Sequence, residues 1–272
     1  MRIDRPEFAA ALDQYLGFVR KHKDLIFSGR PLGDVAVLHA FPSLAFNGQH
    51  AMDQIAAAEE VLIRAGLQWG VVFDDNLDRL ENFSVLILAG QTHLSDAACD
   101  AVRRFVHGGG AVVMLGENGR YDDEGRLLQA DRLAGLSGDR VSRLEAGAIT
   151  RIKDRRWGVF AALIPTWKDV VAAILKEAEA RLSARILDPD TRVSLSASQG
   201  NDGKLVVQLV NYAGSRSARN HRIAIGTTWG ERGAARLLTP EKPERMLEVR
   251  RDGARYVIEV PPIDVYGVVL VE

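Results

Sequence analysis

The sequence predicts an α/β domain on a parallel sheet, followed by a small all-β antiparallel sandwich. Three observations carry this. Between Asn82 and Asp123 an apolar run, Phe83 to Leu88, leads through a helical pattern to a second apolar run, Ala111 to Leu115. Runs without alternation are expected of strands buried on both faces, and a helix joining two of them makes a parallel pair. The same order occurs upstream, from Asp34 to Phe73. Beyond Asp188-Pro189-Asp190 the hydrophobic period shortens to that of half-buried strands, with turn residues between them.

Taken in order, Glu7 to Lys23 reads as an amphipathic helix with Phe8, Leu12, Tyr15, Leu16 and Val19 on one stripe. Arg20-Lys21-His22-Lys23 suits its C-terminal dipole and needs no phosphate to explain it. Asp34 to Ala40 is the first strand, and Phe41 to His50 a polar loop after it. Ala51 to Ala65 is a crossover helix with Met52, Ile55, Leu62 and Ile63 inward and Gly66 as C-cap. Trp69 to Phe73 is the second strand, and Asp74 to Glu81 an acidic connection. Ser95 then caps a helix carrying Cys99, Val102, Phe105 and Val106 on its apolar stripe, ended by Gly108-Gly109-Gly110. Leu127 to Leu136 is expected to form a short helix, Arg140 to Phe160 one or two short strands, and Lys168 to Leu182 a helix. Short strands are expected over Arg192–Ser198, Lys204–Tyr212, His221–Ile225, Ala234–Leu238, Arg245–Val249, Ala254–Val260 and Val265–Val271, with hairpin turns at Gly200-Asn201-Asp202-Gly203 and Asp252-Gly253. The expected organisation is a linker helix over 1–30, an α/β domain over 31–187 and a sandwich over 188–272.

The chain has 272 residues, 47% of them hydrophobic and 26% charged, as in ordinary globular proteins. Its 35 basic and 36 acidic residues leave a formal net charge of -1 and no case for nucleic acid or an anionic membrane. No apolar run has the ~20 residues of a membrane span. MRIDRPEF is charged where a secretion signal needs an apolar core. A single cysteine makes no internal disulfide, which points to a reducing, cytoplasmic setting.

In an open parallel sheet, ligands sit beyond the carboxyl ends of the strands. Those ends carry Gln91, Thr92 and His93 after one strand and Glu117, Asn118, Arg120, Tyr121 and Asp122 after the next. Gln91, His93, Glu117, Asn118 and Tyr121 are therefore the ligand-binding candidates. No catalytic residue and no metal ligand is assigned. A hydrolase of this architecture needs a nucleophile on a strand-to-helix elbow, and neither G-x-S-x-G nor its cysteine counterpart occurs. Cys99 is expected to be buried and inert in its helix. The loop after the first strand, FPSLAFNGQH, lacks a dinucleotide fingerprint, there is no Walker A sequence, and no cofactor is expected. His39 reads as a core or strand-end histidine, Asp74-Asp75 as a solvated loop or helix start, and the Glu117–Asp122 pair as loop ordering rather than acid–base chemistry.

The run VLILAGQTHLSDAACDAVRRFVHGGGAVVMLGENGRYDDEGR resembles the trimerisation domain of β-galactosidases of glycoside hydrolase family 42 and of related glycosyl hydrolases. LVVQLVNYAG and VPPIDVYGVVLVE look like the small sandwich that closes such enzymes, and LGFVRKHKDLIFSGRPLGDVAVL like the linker leaving their catalytic barrel. The resemblance implies a flavodoxin-like, class I glutamine amidotransferase-like parallel sheet without amidotransferase chemistry, followed by the sandwich. It also implies catalytic carboxylates on an upstream barrel of ~250 residues, for which about thirty residues before the first strand leave no room. The expected function is a non-catalytic accessory module that self-associates, as a trimer, and partners such a barrel. Two rivals are a small hydrolase or amidotransferase-like enzyme acting through Gln91, His93, Glu117 and Tyr121, and a carbohydrate-binding module using Trp229, Tyr212 or Tyr256 of the sandwich.

Overall fold

The computed structural model describes residues 6–153, 160–188, 193–212, 220–230 and 233–272. The turn residues Pro189 and Asp190, the start of the strand expected from Arg192, the segment 154–159 and Gly214 fall outside them. Two compact units form, one from Gly33–Leu182 and one from Met1–Leu32 with Ser183–Glu272.

The chain starts with helices α1 (Pro6–Lys21) and α2 (Lys23–Phe27) and a two-residue strand β1 (Arg30–Pro31). The buried side of α1 differs from the expected stripe. Leu12 and Leu16 are exposed, at 42% and 39%, and the side chain of Phe8 is outside the described residues. Tyr15 and Val19 of that stripe are half-buried as expected, but Phe18, with Leu25 and Ile26 of α2, packs beside Val19 in place of Leu12 and Leu16. Helical spacing alone admits both stripes, because Leu12–Leu16 and Tyr15–Phe18–Val19 each recur at three to four residues.

The α/β unit follows with β2 (Val35–His39), α3 (Phe41–Phe46), α4 (Gly48–Arg64), β3 (Trp69–Phe73), a 3₁₀ stretch (Asp74–Asn82), β4 (Val85–Ala89), α5 (Asp96–His107) and β5 (Ala111–Leu115). It ends with β6 (Val141–Leu144), the hairpin of β7 (Thr150–Lys153) and β8 (Phe160–Leu163), and α6 (Trp167–Ala178). The sheet is parallel, in the order β3-β2-β4-β5-β6. In order along the sheet this is second, first, third, fourth, fifth, the flavodoxin-like winding. β4 and β5 are buried at all five positions, which explains their unbroken apolar runs. One face carries Val35, Val37, Ile87 and Val113 under α4 and α6; the other carries Leu38, Leu86, Leu88 and Met114 with α5.

Three local expectations are corrected. Phe41–His50 is not a loop: Pro42 in the first turn allows the short helix α3, and Asn47 precedes α4, which starts three residues earlier than expected. Met52 points outward at 50% exposure, while Ala51, Gln54, Ile55, Ala58, Val61 and Leu62 form the buried stripe. Leu127–Leu136 forms turns and an isolated bridge, Tyr121 to Leu127, and no helix. Only Leu133 of that stretch is fully buried, so a helix there would lack the apolar face that stabilises short helices.

The second unit adds β9 (Ala184–Ile186), β10 (Val193–Gln199), β11 (Leu205–Asn211), β12 (His221–Ile225), the single turn α7 (Thr227–Gly230), β13 (Ala234–Leu238), β14 (Arg245–Asp252), β15 (Arg255–Val260) and β16 (Tyr266–Val271). The expected sandwich is one nine-stranded antiparallel sheet, β1-β10-β11-β16-β13-β14-β15-β12-β9, curled around a core of Leu195, Val207, Leu209, Ile223, Leu237, Ile258 and Val269. Both hairpin glycines, Gly203 (φ +77°) and Gly253 (φ +60°), take the left-handed conformation their turns require. Helices α1 and α2 cover part of the outer side of this sheet, with Phe18 edge-on to Tyr266 at 5.9 Å and Gln208 donating to Ile26 O at 3.1 Å.

Candidate functional site: the carboxyl rim of the parallel sheet

The winding direction reverses between β2 and β4. The loops leaving these strands diverge there, which is where open α/β sheets place their ligands. Three segments meet at this point: Ala40–Asn47 after β2, Gly90–Leu94 after β4, and Gly116–Asp123 after β5. All five sequence candidates lie on the last two.

Gln91 and Asn118 come together and are consumed by architecture. Gln91 is fully buried. Its Oε1 accepts from Ala40 N at 2.8 Å, and its Nε2 donates to Ala89 O at 2.8 Å. Its backbone N donates to Asn118 Oδ1 at 2.8 Å, and its carbonyl accepts from Gly119 N at 2.9 Å. Asn118 Nδ2 in turn donates to Gly116 O at 3.0 Å and, longer, to Leu115 O at 3.3 Å. Two side-chain amides thus tie three strand ends, satisfying backbone groups that a buried loop would otherwise orphan.

His93 and Tyr121 also meet. The imidazole is sandwiched between Phe46, at 5.2 Å and 17° between planes, and Tyr121, at 4.5 Å and 12°. His93 Nδ1 lies 2.9 Å from Thr92 Oγ1. Its backbone is held by Ser43, whose Oγ donates to His93 O at 2.7 Å and accepts from His93 N at 3.0 Å. Burial pushes the His93 pKa below the ordinary imidazole value, and Asp122 opposes this only in part, so the ring is neutral at pH 7.

Glu117 is exposed and joins none of these bonds. Asp122 does order the loop, as expected: its Oδ1 accepts from Glu124 N at 3.0 Å and Arg126 N at 2.8 Å. Asp74 caps as well, accepting from Phe41 N, and burial raises its pKa. His39 closes β2 with Nε2 3.1 Å from Glu59 Oε1. Among the described residues no group of three or more His, Cys, Asp or Glu could hold a metal ion, and no helix is long and apolar enough to cross a membrane.

The turn that leaves β4 opens on Gly90, directly after the strand and five residues ahead of Ser95, the N-cap of α5, at φ +59°. A Cβ there would lie 2.5 Å from Gln54 Cγ, so the space a nucleophile would need is filled. Cys99 is 1% exposed among Leu94, Ala98 and Val102, and burial raises its thiol pKa. It is a core residue, as its place on the apolar stripe indicates.

Sequence reasoning missed Ser43, Phe46 and Gln54. Gln54 leaves a signal: a polar residue in register with Ala51, Ile55 and Ala58 on the buried stripe of α4. It is 6% exposed, and its Oε1 has no hydrogen-bond partner. Ser43 and Phe46 leave none, because the sequence predicts a loop where the helix α3 presents them. In the β unit, Trp229 is 8% exposed and Tyr256 packs against the same core, leaving Tyr212, at 70%, as the exposed ring of the three.

No protein-family model and no curated protein matches this chain. Solved structures do. The α-L-fucosidase isoenzyme 2 of Paenibacillus thiaminolyticus superposes with a TM-score of 0.60 at 13% identity, over 94% of this chain and 51% of that one. A family 42 β-galactosidase from G. stearothermophilus, Gan42B, gives 0.54 at 14% identity, over 96% and 45%. The family 42 exo-carrageenase of Bacteroides ovatus gives 0.52 at 14%, over 90% and 31%. The chain therefore spans between about a third and a half of these glycosidases, and what it has in common with them, at such identities, is the fold.

Proposed function

We propose that this chain is a non-catalytic accessory and oligomerisation module of a glycoside-hydrolase-type protein, related to the trimerisation and closing domains of family 42 β-galactosidases. One observation carries the reading: the first residue beyond β4, at the reversal of the sheet's winding, is a glycine at φ +59° with Gln54 packed against it, where a reactive side chain has no room. The polar residues around it support the same view, since Gln91, Asn118 and Asp122 spend their hydrogen bonds on loops. The likeness to glycosidases two to three times longer supports a partner barrel, in the same polypeptide or on a separate one. In this reading the module self-associates, as a trimer, in the cytoplasm.

Sedimentation equilibrium of the full chain tests it. A trimer at micromolar concentration is the expected result, and a strict monomer at high micromolar concentration sinks the oligomerisation part. Turnover of aryl glycosides, esters or glutamine that disappears in Glu117→Ala or His93→Ala would replace the accessory reading with the enzymatic one.

A further inference from the structure

The rim carries an exposed aromatic surface that none of the architecture above uses. Phe46 stacks one face on His93, which stacks on Tyr121, yet the Phe46 side chain is 56% exposed. Gly125, at φ +82°, lets the neighbouring loop close on the edge of the ring, where a Cβ would come 3.2 Å from Phe46 Cε1. The ring is thus held rigidly by a three-ring column and a loop while presenting a flat face outward. Phe41 on the same short helix is 72% exposed, and its backbone N–H is bound by Asp74. Asp74, which holds Phe41 N, has the exposed carboxylates Asp75 and Asp123 near enough to act on it, and Asp123 lies two residues before the Gly125 that touches Phe46. Among the described residues neither Asp75 nor Asp123 is in an ion pair, whereas Glu124 and Asp122 are engaged by Arg126.

We propose that this rim binds a neutral pyranoside, with the sugar's C–H face on Phe46 and its hydroxyls donating to Asp123 and Asp75. The proposal rests on the glycosidase-type reading above and gives that module a ligand. A pyranose ring offers both complements at once: an apolar face matched by dispersion to a fixed aromatic ring, and hydroxyl donors for carboxylate acceptors. Preorganisation of the ring removes an ordering cost that a mobile side chain would incur on binding. Anionic ligands such as phosphates are repelled by the carboxylates, and no glycine-rich turn follows β2 to cradle them. The location lies at the reversal of the sheet's winding, the place where open α/β sheets in general bind their ligands.

The experiment is saturation-transfer difference NMR on the full chain with methyl β-galactopyranoside, methyl α-fucopyranoside and methyl β-glucopyranoside, with methylguanidinium as the cationic control. The expected result is transfer to the C–H protons of at least one pyranoside in the millimolar range, abolished by Phe46→Ala. Asp123→Asn should weaken binding by about tenfold or less, Phe46→Trp should strengthen it, and Tyr212→Ala in the other unit should leave it unchanged. Silence with all three sugars overturns the proposal. So does binding that survives Phe46→Ala, or Phe46-dependent binding of methylguanidinium alone. A monomer that binds the sugar refutes the oligomerisation reading and leaves this one standing; a trimer indifferent to sugar does the reverse.

Discussion

The two units treat buried polarity in opposite ways. In the α/β unit, Ser43, Gln54, Gln91, Thr92, His93, Asn118 and Asp122 are buried and gather at the carboxyl ends of the strands, while among the described residues only Asp34 and Gln68 are buried at the amino ends, before β2 and β3. In the β unit the buried polar residues, Ser198, Asn211, His221 and Thr239, are scattered, and polar links concentrate in surface ion pairs such as Arg236–Glu244 at 3.0 Å and Lys204–Glu272 at 3.4 Å. The cause is topological. Parallel strands all end on the same side, so their loops crowd over one rim and must satisfy each other's backbone groups there. Antiparallel hairpins turn back into the sheet and satisfy those groups in the ladder itself. The contrast teaches that polar residues at a parallel rim are not evidence of chemistry until their hydrogen bonds have been accounted for.

Mutations at the rim should therefore cost far more than mutations in the surface pairs. The largest effect is expected for Gln91→Leu, which leaves Ala40 N–H and Ala89 C=O buried without partners; a loss of about 3 kcal/mol in denaturant unfolding of the α/β unit is expected. An effect below about 1 kcal/mol would mean that the amide bracket is ornamental. Gly90→Ala comes next, at about 2 kcal/mol, from the left-handed backbone and the contact with Gln54. Gln54→Ala in the same chain should return part of that loss, and strict additivity of the two would contradict the packing described.

Acid should also separate the units. The folded-state pKa of His93 lies below its unfolded value, so the unfolded chain binds more protons as the pH falls through the ordinary imidazole value of 6.5. Stability of the α/β unit is then complete above that value and is lost below it, down to the folded-state pKa. His93→Gln should flatten this acid loss in urea titrations at pH 7 and pH 5. An unchanged slope would show that the stacked imidazole is not the group responsible. His22, between α1 and α2, is lowered in the same sense, by burial and by Lys21, so the β unit has its own acid-sensitive group, whose acid loss His93→Gln should leave in place. The smallest effects belong to the β unit: Arg236→Ala should cost no more than about 1 kcal/mol, and Leu16→Ser on the open side of α1 less than about 0.5 kcal/mol.

Much of this was legible in the sequence. The strands β4 and β5 declared themselves through five-residue apolar runs, and α5 through Ser95, whose side chain caps Ala98 N at 3.1 Å. Gln91, His93, Asn118 and Tyr121 were placed correctly at strand ends, because a parallel βαβ unit fixes which side of the sheet a given loop occupies. Their roles were not legible. Whether a glutamine binds a ligand or brackets three loops depends on partners 27 and 51 positions away in the chain, Asn118 and Ala40. The same holds for Phe46, which became visible only when α3 brought it over His93.

By itself, the sequence determined the local periods: unbroken apolar runs for parallel strands, alternation and Asp-Gly or Gly-flanked turns for hairpins, and the lack of a G-x-S-x-G type of nucleophile motif. These depend on neighbours within a few positions, which a chain carries wherever it is folded. Only tertiary structure decided that Leu12 and Leu16 stay in solvent while Phe18 is covered, that nine strands curl into one sheet, and that Phe46, His93 and Tyr121 stack. Those outcomes turn on which surfaces meet, and the free energy of burial belongs to the pair of surfaces rather than to either stretch alone.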